Sequence, residues 1–138
     1  MTAILDTGFL YATFAANDPH HNQVDGLLAE LSDELLLPTV VLVELSYLLQ
    51  ARLGHKQMRQ ILNQLEQGPI PLMPLTRQDL RRVYALLEQY ADMRLDFVDA
   101  TIVALAERLN IKRILTVDKK DFQVIRPNHC AYFEILPD

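Results

Sequence analysis

A chain of 138 residues, half of them hydrophobic and 22% charged, is long enough to bury a core and is expected to form one globular domain over residues 1–138. Its 13 basic and 18 acidic side chains leave a net charge of −5, which argues against a polyanionic partner unless bound cations reverse the local sign. A single cysteine, Cys130, excludes an internal disulfide, the start of the chain does not read as a secretory signal, and no apolar run approaches the roughly 18 residues of a membrane span, so a cytoplasmic protein with no membrane partner is expected.

Ala3-Ile4-Leu5 reads as a buried strand ending at Asp6, with Gly8 permitting a tight turn and Phe9 to Ala15 a brief helix. Asn17-Asp18-Pro19 is a turn in which Asp18 caps, and Pro19 opens, a helix that runs to Leu31. Glu34 to Leu37 is a second buried strand, stopped by Pro38. From Thr39 an apolar run continues to Arg52; that is too long for a typical strand, so a buried helix is predicted, with Glu44 as its only acidic residue and Gly54 at its end. His55 to Gln67 is an amphipathic helix closed by Gly68-Pro69.

Ile70 to Pro74 can be no more than an edge strand, because its prolines donate no ladder bond. Thr76 and Asp79 form a capping-box pair ahead of a helix carrying Leu80, Val83, Leu86, Leu87 and Tyr90. Leu95 to Leu109 is helical, with Asp96 as N-cap and Asn110 as C-cap. Arg113 to Val117 is a buried strand ending at Asp118, Lys119 to Phe122 a turn or short helix, and Tyr132 to Leu136 a final strand. Strands alternating with helices imply an α/β fold, a parallel sheet covered on both faces. Ligands of such sheets bind beyond the carboxyl ends of the strands, where Asp6 and Asp118 both stand.

The helix at 95–109 contains an anomaly. Leu95, Val98, Ile102, Val103, Ala106 and Leu109 make one apolar stripe, and Asp99 falls inside it. A bare carboxylate against a core costs several kcal/mol unless its charge is compensated. Asp6, Glu44 and Asp118 sit in similarly odd places, at strand ends or within an apolar helix face. Grouped acids repel and raise one another's pKa; a divalent cation relieves this, and oxygen ligands favour Mg²⁺ or Mn²⁺ over zinc. The histidines (His20, His21, His55, His129) have no zinc-ligand spacing. Metal-assisted phosphodiester hydrolysis is the reaction such a cluster serves most naturally, with Thr7 and Thr116 placed to orient a carboxylate or hold water.

Each acid also has a plainer reading. Asp6 can be a turn residue, Glu44 can pair with Arg52, and Asp118 can be a solvated turn before Lys119-Lys120. Those two lysines flank the proposed site and can meet phosphates, whereas Arg77, Arg81 and Arg82 read as a solvated face or as intrahelical pairs. His20-His21 reads as exposed helix surface. A phosphatase of the haloacid-dehalogenase type would need a second aspartate two residues after Asp6, and Gly8 stands there.

Ile4-Leu5-Asp6-Thr7-Gly8, the isolated Glu44, Leu95 to Ala100 running into Val103 to Ala106, and Leu115 to Phe122 together resemble a PIN domain along essentially the whole chain. The resemblance implies an α/β/α sandwich and Mg²⁺- or Mn²⁺-dependent endoribonuclease activity. It implies Asp6, Glu44, Asp99 and Asp118 as the acidic cluster that binds metal and carries catalysis, with Asp96 and Asp121 peripheral. At this length the chain is similar to VapC-type toxins, which implies an RNA substrate, a small protein antitoxin and a homodimer. The alternative is a non-catalytic PIN-like module that binds RNA or protein.

Overall fold

The computed structural model describes residues 1–138 as a five-stranded parallel sheet flanked by seven helices. The elements in order are β1 (Thr2–Leu5), α1 (Thr7–Phe14), α2 (His21–Glu30), β2 (Glu34–Pro38), α3 (Thr39–Leu53), α4 (His55–Gln67), β3 (Leu72–Met73), α5 (Arg77–Gln89), α6 (Phe97–Leu109), β4 (Arg113–Leu115), α7 (Lys120–Val124) and β5 (Glu134–Leu136). Successive strand residues point to opposite faces, yet Ala3, Ile4 and Leu5 are all buried, as are Leu36 with Leu37 and Ile114 with Leu115. Both faces of the sheet are therefore covered, and the core lies on either side of β1, β2 and β4.

The strand order is β3-β2-β1-β4-β5, so the chain leaves β1 toward one edge and later returns to its other side. That makes the β1–β4 boundary the switch point at which connections diverge and a crevice opens. Register places Leu5 beside Leu115 and Ile4 beside Leu36, so Asp6, Pro38 and Thr116 stand level at the carboxyl ends of three adjacent strands. The Asp6 backbone N–H donates to the Leu115 carbonyl at 2.9 Å and extends the ladder to the lip of the crevice.

Most local signals act as the sequence predicts. Thr76 and Asp79 form the reciprocal capping box, Asp96 caps α6, Asn110 closes it in the left-handed conformation, and Gly54 ends α3 at φ 94°. β3 is an edge strand, and β5 pairs with β4.

Several positions differ from expectation. Gly8 is in no turn; it lies in the first turn of α1, where a Cβ would meet Val117 Cγ2 at 2.9 Å. Asp18 caps the turn before α2 by accepting from the His20 N–H, while His20 holds the N-cap position without a side-chain bond. His21 is half-buried, its Nδ1 2.7 Å from the Ala12 carbonyl. β4 stops at Leu115, short of the expected Val117, although the Thr116 N–H still donates to the Leu136 carbonyl at 2.9 Å. α3 is buried through Val41, Leu45 and Leu49 on one face only, leaving Val43 and Tyr47 in solvent. Leu80, read as part of the apolar face of α5, is exposed, and the capping Asp79 beside it is buried.

Candidate active site

Asp6 is built into the crevice by the backbone on either side of it. As N-cap of α1 it accepts the Thr7 N–H on Oδ1 at 2.8 Å, and across the β1–β4 boundary the Thr116 hydroxyl donates to Oδ2 at 2.6 Å. Both oxygens are thereby oriented while the residue remains only 6% exposed. Thr116 Oγ1 also accepts the Asp118 N–H at 3.1 Å, so a single hydroxyl joins the first acid to the turn that carries the fourth. The close approach of Val117 to Gly8 holds that turn against α1.

Asp99 is presented in the first turn of α6, where Asp96 accepts the Val98 and Asp99 N–H groups. It is half-buried and makes no ion pair. Glu44 reaches the same region from α3 and is likewise unpaired, because Arg52 lies over the Tyr11 ring at 5.1 Å instead. Arg82 bonds Glu107 of α6 and makes no intrahelical pair. Asp118 is exposed at the rim, followed by half-buried Lys119 and exposed Lys120.

The electrostatics show which acids share one field. Burial pushes Asp6 up to about 6 against the hydrogen bonds from Thr116 and Thr7, and repulsion by Glu44 and Asp118 pushes it further the same way. Asp99 is driven up to about 8 by burial first, then by the charges of Asp6, Asp96, Asp121 and Asp118. Asp6 is therefore within reach of Glu44 and Asp118, and Asp99 within reach of Asp6, Asp118, Asp96 and Asp121. Asp121, expected at the periphery of the cluster, acts on Asp99 from the first turn of α7.

No group of three or more His, Cys, Asp or Glu side chains is arranged to enclose an ion by itself. The donors are nonetheless all hard oxygens, Asp6 and Asp99 are both raised by burial and then by neighbouring acids, and the buried Thr7 hydroxyl has no partner. Such an open set fits a cation that takes one or two carboxylates directly and keeps several waters, the habit of Mg²⁺.

Beside Glu44 the site opens into an apolar groove between α3 and α6, lined among others by Val43, Tyr47, Phe97 and Val98. The sequence makes self-association plausible through the Leu-rich helices at Val40 to Leu49 and His55 to Leu65, but does not show that an apolar face opens beside Glu44. Its signal was present in the apolar run at 40–49, which covers more of α3 than a single buried face requires.

The family described as PIN domain matches residues 3–126. The chain is 31% identical over 134 residues to Ribonuclease VapC26 of Mycobacterium tuberculosis, covering 97% of this chain and 99% of that protein. Among solved structures it is similar to M. tuberculosis VapC20, a sarcin–ricin loop cleaving toxin, with TM-score 0.78, 22% identity and coverage of 85% of this chain and 90% of that one. A toxin–antitoxin complex from Klebsiella pneumoniae matches with TM-score 0.65 and 20% identity over 89% of this chain and 92% of that chain. At these identities the solved structures share the fold.

Proposed function

The chain belongs to the PIN domain family, and from that premise we propose that it is a metal-dependent endoribonuclease, the toxin of a toxin–antitoxin pair, acting in the cytoplasm. The observation that carries this reading is Asp99: a carboxylate pushed up to about 8 beside buried Asp6, with no cation from the chain itself to compensate it. A charge left unbalanced at a switch-point crevice is matched by a charge from outside the fold. The 31% identity to a ribonuclease across almost the whole chain supports RNA as the substrate. The toxin–antitoxin complex among the structural neighbours supports a small protein antitoxin as partner, and a homodimer is the assembly proposed.

Asp6, Asp99 and Asp118 are the proposed metal-binding and catalytic acids, with Glu44 binding metal or positioning the attacking water. Bound there, Mg²⁺ or Mn²⁺ supplies a lowered water pKa and neutralises charge on the phosphodiester. Thr116 keeps Asp6 aimed into the crevice, and its bond to the Asp118 N–H fixes the opposite wall. The Thr7 hydroxyl, buried without a partner, is placed to hold a water. Asp96 organises the backbone under Asp99 and is a positioning residue. Lys119 and Lys120 stand at the rim as cations for the phosphates flanking the cut.

The test is RNA cleavage by the wild type and Asp99→Asn with Mg²⁺, Mn²⁺ or EDTA, alongside circular dichroism of both proteins. Cleavage is expected from the wild type with metal only, and the variant is expected to lose about 10²- to 10⁴-fold with its fold intact. Metal-stimulated cleavage retained by a clean Asp99→Asn preparation overturns the assignment. If neither protein cuts and metal leaves stability unchanged, the domain is a binding module.

A further inference from the structure

Resting on the nuclease reading, we propose that Arg52, held over the Tyr11 ring, binds a backbone phosphate of the RNA strand that leaves the active site along the seam between α1 and α3. The two helices pack against each other. At about 1.5 Å per residue, Arg52 stands about 12 Å along α3 from Glu44, and Tyr11 about 8 Å along α1 from Asp6. Glu44 in turn acts on Asp6, so the helices approach each other at the acids and meet again at Arg52 and Tyr11.

Arg52 is set apart by what fixes it. Arg82, Arg108 and Arg113 are held by carboxylates that compensate their charge, and Arg126 donates to the Gln123 and Ile125 carbonyls. Arg52 is exposed and enters no ion pair, and its guanidinium carbon lies 5.1 Å from the centroid of the buried Tyr11 ring. Stacking on an uncharged ring limits the rotamers of an arginine while leaving its charge and its planar N–H fork for an anion. That fork matches the geometry of a phosphate. Two directions lead away from Glu44. The groove between α3 and α6 is lined by apolar side chains and Glu44 itself, with no cation. The seam with α1 carries Arg52. A strand with its scissile phosphate at Asp6 and Asp99 brings further phosphates that the acids repel, and of these two directions the seam offers the counter-charge.

The experiment compares the wild type, Arg52→Gln, Arg52→Lys and a control, Arg77→Gln. Binding of a fluorescein-labelled oligoribonucleotide in EDTA is read by anisotropy across a salt series, alongside steady-state cleavage with Mg²⁺ and melting temperatures. Arg77 is exposed in the first turn of α5 beside Asp79, whose partner Arg108 lies at the end of α6 opposite Asp99. The control therefore removes the same charge far from the acids. Arg52→Gln is expected to flatten the slope of log affinity against log salt by about 0.7 to 0.9, the counterion release of one phosphate. It is expected to raise KM about 3- to 30-fold with kcat within about threefold. Arg52→Lys keeps the slope and recovers only part of KM, because an ammonium on a flexible stem is not pre-oriented by the ring. Arg77→Gln matches the wild type in both.

Equal salt slope and KM for Arg52→Gln and the wild type, with the wild type still cutting, overturn the phosphate contact and leave the nuclease reading standing. A lower melting temperature as the only defect of Arg52→Gln also overturns it and makes the Arg52–Tyr11 contact one of packing. So does an equal loss in Arg77→Gln, since the effect then belongs to net charge. A wild type that neither cuts nor binds RNA overturns both readings.

Discussion

Asp79 and Asp99 are both carboxylates set against the core beside α6, and their surroundings drive them in opposite directions. Asp79 is 3% exposed, and burial alone would raise it. Arg108 meets it with two bonds of 2.8 and 3.0 Å and Thr76 adds the capping box, so it is held below the ordinary carboxylate range. Asp99 is raised to about 8 by burial and by four neighbouring acids. The two environments lie at opposite ends of one helix: Arg108 in the last turn of α6, where a cation also suits the helix dipole, and Asp99 in the first. A buried acid whose counter-charge is part of the fold is structural. One whose counter-charge is missing from the fold is a place for something else to bind.

The largest expected effect breaks the closed end of that comparison. Arg108→Ala leaves Asp79 buried without its cation and is expected to cost about 2–3 kcal/mol in chemical denaturation, a moderate value because Arg108 is itself a third exposed. Asp99→Asn in the same assay without metal is expected to unfold at equal or higher denaturant, since it is neutral in both states and removes the cost of keeping the buried acid protonated or ionised. If Asp99→Asn costs as much as Arg108→Ala, the distinction between the two ends fails.

A pH series sharpens it further. The unfolded carboxyl of Asp99 titrates near about 4 and the folded one near 8, so between those values the folded state holds an extra proton. The contribution of Asp99 to metal-free stability is therefore greatest below about pH 4 and declines by roughly 2 kcal/mol as pH rises to 8. Asp6, raised to about 6, adds to the lower part of that decline. Asp79 acts oppositely: its contribution is present above its unfolded value and is lost as pH falls through its depressed folded one. Melting temperatures in EDTA should fall from pH 4 to 8, and millimolar Mg²⁺ should flatten the slope by stabilising the ionised acids. A slope unaffected by Mg²⁺ would count against metal at this cluster.

The smallest effect concerns how the open end is held. Gly8→Ala drives a methyl into Val117 and shifts the Thr116–Asp118 turn, for about 1 kcal/mol of stability and about tenfold in cleavage. Adding Val117→Ala should restore most of the cleavage, which would identify the loss as steric. No recovery in the double variant would mean that Gly8 acts otherwise.

Much of this was legible in the chain. The strand before Asp6, the cap at Asp96, the box at Thr76–Asp79 and the stop at Gly54 rest on near neighbours and on helical or strand period, which sequence displays directly. Asp99 was conspicuous because it interrupts an apolar stripe. Gly8 misled, because a glycine after a strand reads the same whether it frees a turn or admits Val117. Leu80 is exposed where an apolar face was expected, and Asp79 beside it is buried against Arg108, 29 residues on, a partner that helical period does not reveal.

By itself, then, the sequence determined the elements, most of their ends, and which acids were out of place. The tertiary structure alone decided that β1 lies between β2 and β4, that Thr116 therefore meets Asp6, that Arg52 turns to Tyr11 and leaves Glu44 unpaired, and that α3 keeps a second apolar face open beside the acids. The physical reason is range. Helix and strand patterns are written in residues a few positions apart, whereas strand order and the compensation of a charge depend on partners tens of residues away, chosen only when the whole core closes.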